Sequence, residues 1–115
     1  MTLQTLEQLN RLREDMPGVM EEVMQLFVTD APRQLSLIEE AYAAGNAEDL
    51  RQNAHYLRSG ALALRLEWLA ERAHRLEFLA PSEFGEPASA RLLEQLRVEL
   101  GGVVVALMQA LDKPA

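Results

Sequence analysis

The chain has 115 residues, 49% of them hydrophobic, and a formal net charge of −7 at pH 7. This length favours one domain, residues 1–115, which can bury a core without covalent staples. The sequence contains no cysteine, which excludes a disulfide framework and a thiolate metal site. The negative charge disfavours nucleic acid as a partner, because it repels the phosphate backbone.

The amino-terminal residues lack the basic segment and long apolar run of a secretory signal. The longest uninterrupted apolar run, residues 103–108, is far shorter than the roughly 20 residues that span a bilayer. We therefore expect a cytoplasmic protein that does not span a membrane. Aromatic residues make up only 5% of the chain, and strand-like runs of β-branched residues are missing outside the three valines at 103–105. The sequence predicts an all-α fold.

Five helices follow from the spacing of the apolar residues. The first is short, with Thr5 as its cap, and ends where Pro17 and Gly18 interrupt the pattern. The second extends to residue 44 and contains Pro32, which predicts one kinked helix, with a split into two helices as the alternative. Gly45 suits the left-handed residue that follows a helix end.

The third helix is predicted to begin at Asn46, which has the side chain of a helix cap. The fourth is predicted to begin near Arg65 and to end before residue 81, and the fifth to begin at Pro87. The Gly101-Gly102 pair in the fifth helix indicates either close approach of a neighbouring helix or a break before a separate terminal helix. Residues 112–115 should fray.

Four long amphipathic helices joined mostly by short turns predict an antiparallel up-down four-helix bundle, with the short additional N-terminal helix at one end. This architecture assigns no function by itself, because helical bundles serve as scaffolds, carriers and metal sites.

The third helix has its buried and exposed faces clearly separated. Its apolar stripe turns by about 100° per residue and consists of Leu50, Ala54, Leu57, Ala61 and Leu64. His55 lies roughly 140° from the middle of this stripe, so its side chain is predicted to face outward. The residues on the same outward side are Arg51, Gln52, Arg58, Ser59 and Leu62.

Two segments carry a family resemblance. Residues 53–61 read Asn-Ala-His-Tyr-Leu-Arg-Ser-Gly-Ala, and residues 69–77 read Leu-Ala-Glu-Arg-Ala-His-Arg-Leu-Glu. Together they resemble the signature of histidine-containing phosphotransfer (Hpt) domains, and the helical layout resembles that family over nearly the whole chain. The resemblance implies that an exposed histidine accepts a phosphoryl group from an aspartate of one receiver domain and passes it to an aspartate of another.

Carried over residue by residue, the resemblance makes His55 the phospho-acceptor. Arg58 stands where the family usually has lysine, and Glu77 stands where a glutamine or glutamate accepts a hydrogen bond from Nδ1 of the histidine, leaving Nε2 reactive. Ser59 replaces the usual glycine four residues after the histidine, which narrows the access of a partner. Arg65 replaces a second glycine near the end of this helix.

The residues around His55 suit an anion and a protein partner. Arg51 and Arg58 are cations one turn to either side, able to attract a phosphoryl group and to bond its oxygens. A docking surface for a partner is predicted from Ser59, Leu62, Gln52 and Tyr56, with Leu66 as an extension and Trp68 as a second flanking aromatic. His74 matches no motif and is interpreted as a surface residue. A metal pair of His55 and His74 would lack a third ligand, so no metal site is predicted.

The sequence has no glycine-rich phosphate loop, so we expect a phosphocarrier without its own ATP site, not an enzyme. No cofactor is expected, and any Mg²⁺ should belong to the partner receiver domain. The expected partners are the receiver domains of a hybrid sensor kinase and of a response regulator. The protein itself is expected to be a stand-alone monomer. The alternative is a helical adaptor that binds receivers or other signalling proteins without carrying phosphate.

Overall fold

The computed structural model describes residues 2–112, and this part of the chain is helical with connecting turns. The elements are α1 (Leu3–Asp15), α2 (Val19–Ala44), α3 (Ala47–Ala63), α4 (Glu67–Glu77), a 3-10 turn (Pro81–Glu83) and α5 (Pro87–Leu111). The all-α prediction is confirmed. Within residues 2–112, no helix combines the length and the apolar character needed to cross a bilayer. The fraying expected at the carboxyl terminus concerns residues that, apart from Asp112, lie outside the described part.

Helices α2 to α5 pack in a closed ring, in which α2 contacts α3, α3 contacts α4, α4 contacts α5 and α5 contacts α2. Apolar side chains from all four helices fill the ring, because each helix turns its stripe inward. The residues at its centre with almost no exposed surface are Met24, Ile38, Leu50, Leu57, Leu69, Leu76, Leu96, Leu100 and Leu107. All five residues of the stripe predicted for α3 are buried.

Helix α1 packs against α2 and is tied to the end of α5 by Arg13, whose Nη1 donates to the Ala110 carbonyl over 3.0 Å. Its predicted cap is wrong. Thr2 caps the helix by accepting from the Thr5 backbone N–H over 3.2 Å, and Thr5 lies one turn inside and is buried. Threonine is found at both positions, so the pattern alone did not distinguish them.

Helix α2 continues through Pro32 without interruption, so the alternative of two helices is wrong. Helix α5 likewise continues through Gly101 and Gly102. A Cβ atom added at either glycine would meet nothing within 4 Å, which means that no neighbouring helix approaches there. Both explanations predicted for this glycine pair are therefore wrong, and the packing of α5 on α2 and α4 overrides the weak propensity.

The turns before and after α3 use the same chain reversal. After α2, Gly45 takes φ 69° and the Asn46 N–H donates to the Ala41 carbonyl over 2.9 Å. After α3, Arg65 takes φ 58° and the Leu66 N–H donates to the Ala61 carbonyl over 2.9 Å. This is the Schellman motif, which needs a left-handed residue after the helix. Helix α4 therefore begins at Glu67, close to the start predicted near Arg65, and it ends at Glu77, earlier than predicted.

Replacing Arg65 with glycine should stabilise the protein. A residue with a Cβ atom in the left-handed region costs about 1 kcal/mol or more, whereas glycine adopts it freely. We expect Arg65→Gly to raise the free energy of unfolding by about 1 kcal/mol, measured by chemical denaturation. The matched control is Ala63→Gly in the last turn of α3, which should lower that free energy by about 0.5–1 kcal/mol. A loss of stability in both variants would contradict the role given to the backbone at Arg65.

Candidate functional site

His55 lies on the side of α3 opposite the buried stripe, and its side chain is 48% exposed. Arg51 and Ser59, four residues away on either side, are exposed, and Leu62 continues this surface toward the end of the helix. The imidazole is therefore accessible to a large molecule, as the periodicity of α3 predicted.

The neighbouring helix α4 supplies a carboxylate to this histidine. Glu77 is the last residue of α4, and only 8% of its side chain is exposed. Its Oε1 atom lies 3.0 Å from His55 Nδ1. The turn at Arg65 folds α4 back along α3, so residues distant in sequence come together. The structure thus places Glu77 at the nitrogen to which the sequence analysis assigned it.

Arg58 lies one turn after His55 and contacts three side chains at the same time. Its Nε atom lies 3.1 Å from Glu77 Oε2, and these two buried atoms form an ion pair without the alignment of a hydrogen bond. Its Nη2 atom lies 3.0 Å from His55 Nδ1. Its Nη1 atom lies 2.9 Å from His74 Nδ1 and is necessarily the donor, since a guanidinium has no acceptor.

His74 is part of this network, a contact that the sequence analysis missed when it interpreted this residue only as a surface residue. It is partly buried, and its ring packs edge-on against Phe78 with 4.8 Å between the centroids. The missed signal is a spacing. His55 and Arg58 are three residues apart on α3, and His74 and Glu77 are three residues apart on α4. Two such pairs face each other when two antiparallel helices are in register.

A cleft of about 380 Å³ opens beside the histidine. Arg51 lies on this cleft and has no ion-pair partner among residues 2–112, in contrast to Arg58. The residues that line the cleft are Glu48, Arg51, Gln52, His55, Tyr56 and Glu77. Of these, the sequence analysis missed Glu48, which sits in the first turn of α3 where acidic residues are common helix formers and carry no distinctive signal.

The predicted docking residues of α3 lie on the surface around His55. Gln52 Nε2 donates to Tyr56 Oη over 3.1 Å, and the Tyr56 ring is tilted against the imidazole with 6.3 Å between centroids. The Ser59 hydroxyl donates to the His55 carbonyl over 3.1 Å, so in this structure it is engaged with its own helix.

Two residues expected beside the site lie elsewhere. Leu66 is buried, because it follows Arg65 in the chain reversal and turns into the core. Trp68 lines a separate groove together with Thr5 and Val98. Leu66 was assigned by extending the outward face of α3 beyond the end of that helix, which the turn does not allow, and Trp68 was assigned as an aromatic that flanks the site.

The glycine next to Ser59 serves the core and not the site. A Cβ atom at Gly60 would come within 3.3 Å of Phe27 Cδ2, so the absence of a side chain lets Phe27 of α2 pack directly on α3. Gly60 therefore does not take the place of the glycine that the family usually has four residues after the histidine. Ser59 occupies that position.

Comparison with known proteins agrees with this geometry. The sequence model described as the Hpt domain matches residues 22–112, which include every side chain of the His55 network. The chain belongs to the Hpt domain family. Its structure is similar to the crystal structure of histidine-containing phosphotransfer protein B from Pseudomonas aeruginosa, with a TM-score of 0.78 and 25% sequence identity over 95% of this chain and 94% of that chain. Comparison with curated protein sequences gives no match.

The chain is thus a histidine phosphotransfer protein of the phosphorelay type, and the resemblance stated from the two segments is confirmed. In this Hpt domain the chemistry available at His55 depends on one proton. If Nδ1 carries the proton it can donate to Glu77, and the lone pair is then on the outward Nε2. Within residues 2–112, no three or more His, Asp or Glu side chains are grouped so as to hold a metal ion.

Removing the Glu77 carboxylate should destabilise the Hpt domain, because it leaves buried Arg58 Nε without its counter-ion. We expect Glu77→Ala to lower the free energy of unfolding by about 2 kcal/mol in chemical denaturation. Glu71 is a matched control on the same helix, paired with Arg75 but 58% exposed. Glu71→Ala should change stability by less than about 0.5 kcal/mol. Equal effects of the two substitutions would show that the burial of Glu77 is unimportant.

Proposed function

We propose that this protein accepts a phosphoryl group on His55 Nε2 from an aspartyl phosphate of one receiver domain and donates it to an aspartate of another. The observation that carries the proposal is the pairing of an exposed imidazole, 48% accessible, with a buried carboxylate 3.0 Å from its inner nitrogen Nδ1. Such a pairing leaves the outer nitrogen free to react while the ring is held in orientation.

The transfer step forms one bond and breaks one. The lone pair of neutral His55 Nε2 attacks the phosphorus, the N–P bond forms, and the bond between the phosphorus and the aspartate oxygen breaks. The aspartate leaves as a carboxylate. The ring then carries a positive charge, which the Nδ1–H shares with Glu77 through a charge-assisted hydrogen bond. Transfer to the second receiver reverses these steps.

The charge of the transferred group is balanced by the protein's own cations. Arg51 lies on the cleft beside His55 and has no ion-pair partner in residues 2–112, so it can turn toward the phosphoryl oxygens without breaking an existing pair. Arg58 is already paired with Glu77, and its approach to the phosphoryl group requires rearrangement. Of the two predicted cations, Arg51 is thus the one that is available at once.

The partners we propose are the receiver domains of a hybrid sensor kinase and of a response regulator, in the cytoplasm. A receiver must bring its aspartate to His55, and it would contact the α3 surface that carries Gln52, Tyr56, Ser59 and Leu62. Leu62 is a large apolar side chain that is 50% exposed at the end of this surface. Contacts of this kind form the apolar part of a transient protein interface.

Phosphoryl transfer to His55 is tested by incubating the protein with a receiver carrying radiolabelled aspartyl phosphate. The wild-type protein should gain an acid-labile, base-stable label, and His55→Gln should gain none, because its amide has no basic nitrogen. His74→Asn, a change at the second histidine of the chain, is the control and should remain labelled. A label that persists in His55→Gln would contradict the acceptor site. Receiver binding by a wild-type protein that gains no label would favour the adaptor alternative.

Partner docking is tested by placing a charge on the proposed surface. We expect Leu62→Glu to raise the receiver concentration needed for half-maximal transfer by about tenfold, the effect of losing roughly 1.4 kcal/mol of binding free energy. Val98→Glu is the control, because Val98 is also apolar and exposed, 65% against 50% for Leu62, but lies on the separate groove with Trp68. Equal impairment by both changes would place the docking surface elsewhere.

A further inference from the structure

We propose that His74 is a positioning residue that determines, through Arg58, which ring nitrogen of His55 carries the proton. The effect on phosphoryl transfer rests on the function proposed for His55, but the effect on the proton does not. The sequence signature connects Glu77 with His55 but gives no role to His74.

Glu77 and Arg58 compete for one nitrogen, His55 Nδ1. Glu77 Oε1 and Arg58 Nη2 each lie 3.0 Å from His55 Nδ1. A carboxylate can only accept and a guanidinium can only donate, so they require opposite states of Nδ1. The contact with Glu77 requires a proton on Nδ1, which leaves the lone pair on Nε2. The contact with Arg58 requires a lone pair on Nδ1, which places the proton on Nε2 and makes that nitrogen unreactive.

Two contacts hold the Arg58 guanidinium in place. Its Nε is held 3.1 Å from Glu77 Oε2, and its Nη1 donates to His74 Nδ1 over 2.9 Å. The packing of the His74 ring against Phe78 restrains the acceptor. Because the guanidinium is planar, two fixed points set the direction of the third nitrogen, Nη2, toward His55. Without the His74 acceptor the group can pivot about Nε, and Nη2 can leave His55.

The consequence is a carrier that becomes reactive when its substrate arrives. At rest, the Arg58 contact holds a share of the His55 rings with the proton on Nε2. A phosphoryl group is a stronger acceptor for a guanidinium than a neutral imidazole nitrogen, because its charge assists the hydrogen bond. An incoming aspartyl phosphate therefore draws Nη2 away from Nδ1. The Nδ1 proton is then stabilised by Glu77, and the lone pair of Nε2 points at the phosphorus.

The proton position is measured by ¹⁵N NMR of the imidazole rings at alkaline pH, where histidine is neutral. Two substitutions separate the acceptor from the side-chain volume. In His74→Asn the amide oxygen can occupy the place of Nδ1 and accept from Arg58, whereas His74→Leu offers no acceptor. We expect His74→Leu to shift His55 toward the form with the proton on Nδ1 and His74→Asn to keep the wild-type ratio. His74→Ala replaces His74→Leu if the latter does not fold.

The coupling through Arg58 has its own control. In an Arg58→Met background, His55 should already have its proton on Nδ1, and adding His74→Leu should cause no further shift. Single-turnover transfer from a phosphorylated receiver should be severalfold faster in His74→Leu than in wild type at saturating receiver, with unchanged half-saturation.

Three outcomes would overturn the proposal: an unchanged His55 proton ratio in His74→Leu, the same shift in His74→Asn as in His74→Leu, or a further shift in the Arg58→Met background. A shifted proton ratio in proteins that gain no phosphoryl label would instead support the positioning role of His74 and refute the function proposed for His55.

Discussion

The site depends on one carboxylate that is buried between two helices. Glu77 has lost nearly all contact with water and is held by two neighbours from α3, His55 at Oε1 and Arg58 at Oε2. A buried carboxylate without such partners would be strongly unfavourable. The dependence is mutual, because the carboxylate in turn holds His55 and Arg58 in place. An imidazole that is half exposed can therefore keep a defined orientation without being enclosed.

In this arrangement the two arginines around His55 have different roles. Arg58 is bound by the carboxylate and by both histidines, so it organises the site before any partner arrives. Arg51 has no ion-pair partner within residues 2–112 and lies on the open cleft. If both arginines were in ion pairs, one pair would have to break before the site received a phosphoryl group. If neither were in an ion pair, Glu77 would lack a counter-ion. The two positions meet both requirements.

The surroundings of His55 are compatible with the carrier role proposed for this protein. The cleft is small, about 380 Å³, His55 is one of its lining residues, and the His55 side chain is 48% exposed on the surface of α3. A carrier of this kind does not need to enclose its substrate, since the partner brings the reacting group. The family match and the similar Pseudomonas aeruginosa structure place the chain among histidine phosphotransfer proteins.

The sequence by itself determined the all-α class, the buried stripe of α3 and the outward direction of His55, because helical periodicity is a local property that a few turns of chain reveal. The contact between Glu77 and His55 was expected only through the family resemblance. Tertiary structure alone decided the rest. The left-handed turn at Arg65 sets the register of α4 against α3, and this register brings His74 to Arg58, turns Leu66 into the core and moves Trp68 to another groove. A register between helices depends on one backbone angle and on packing across the core, and neither is encoded in the spacing of residues along a single helix.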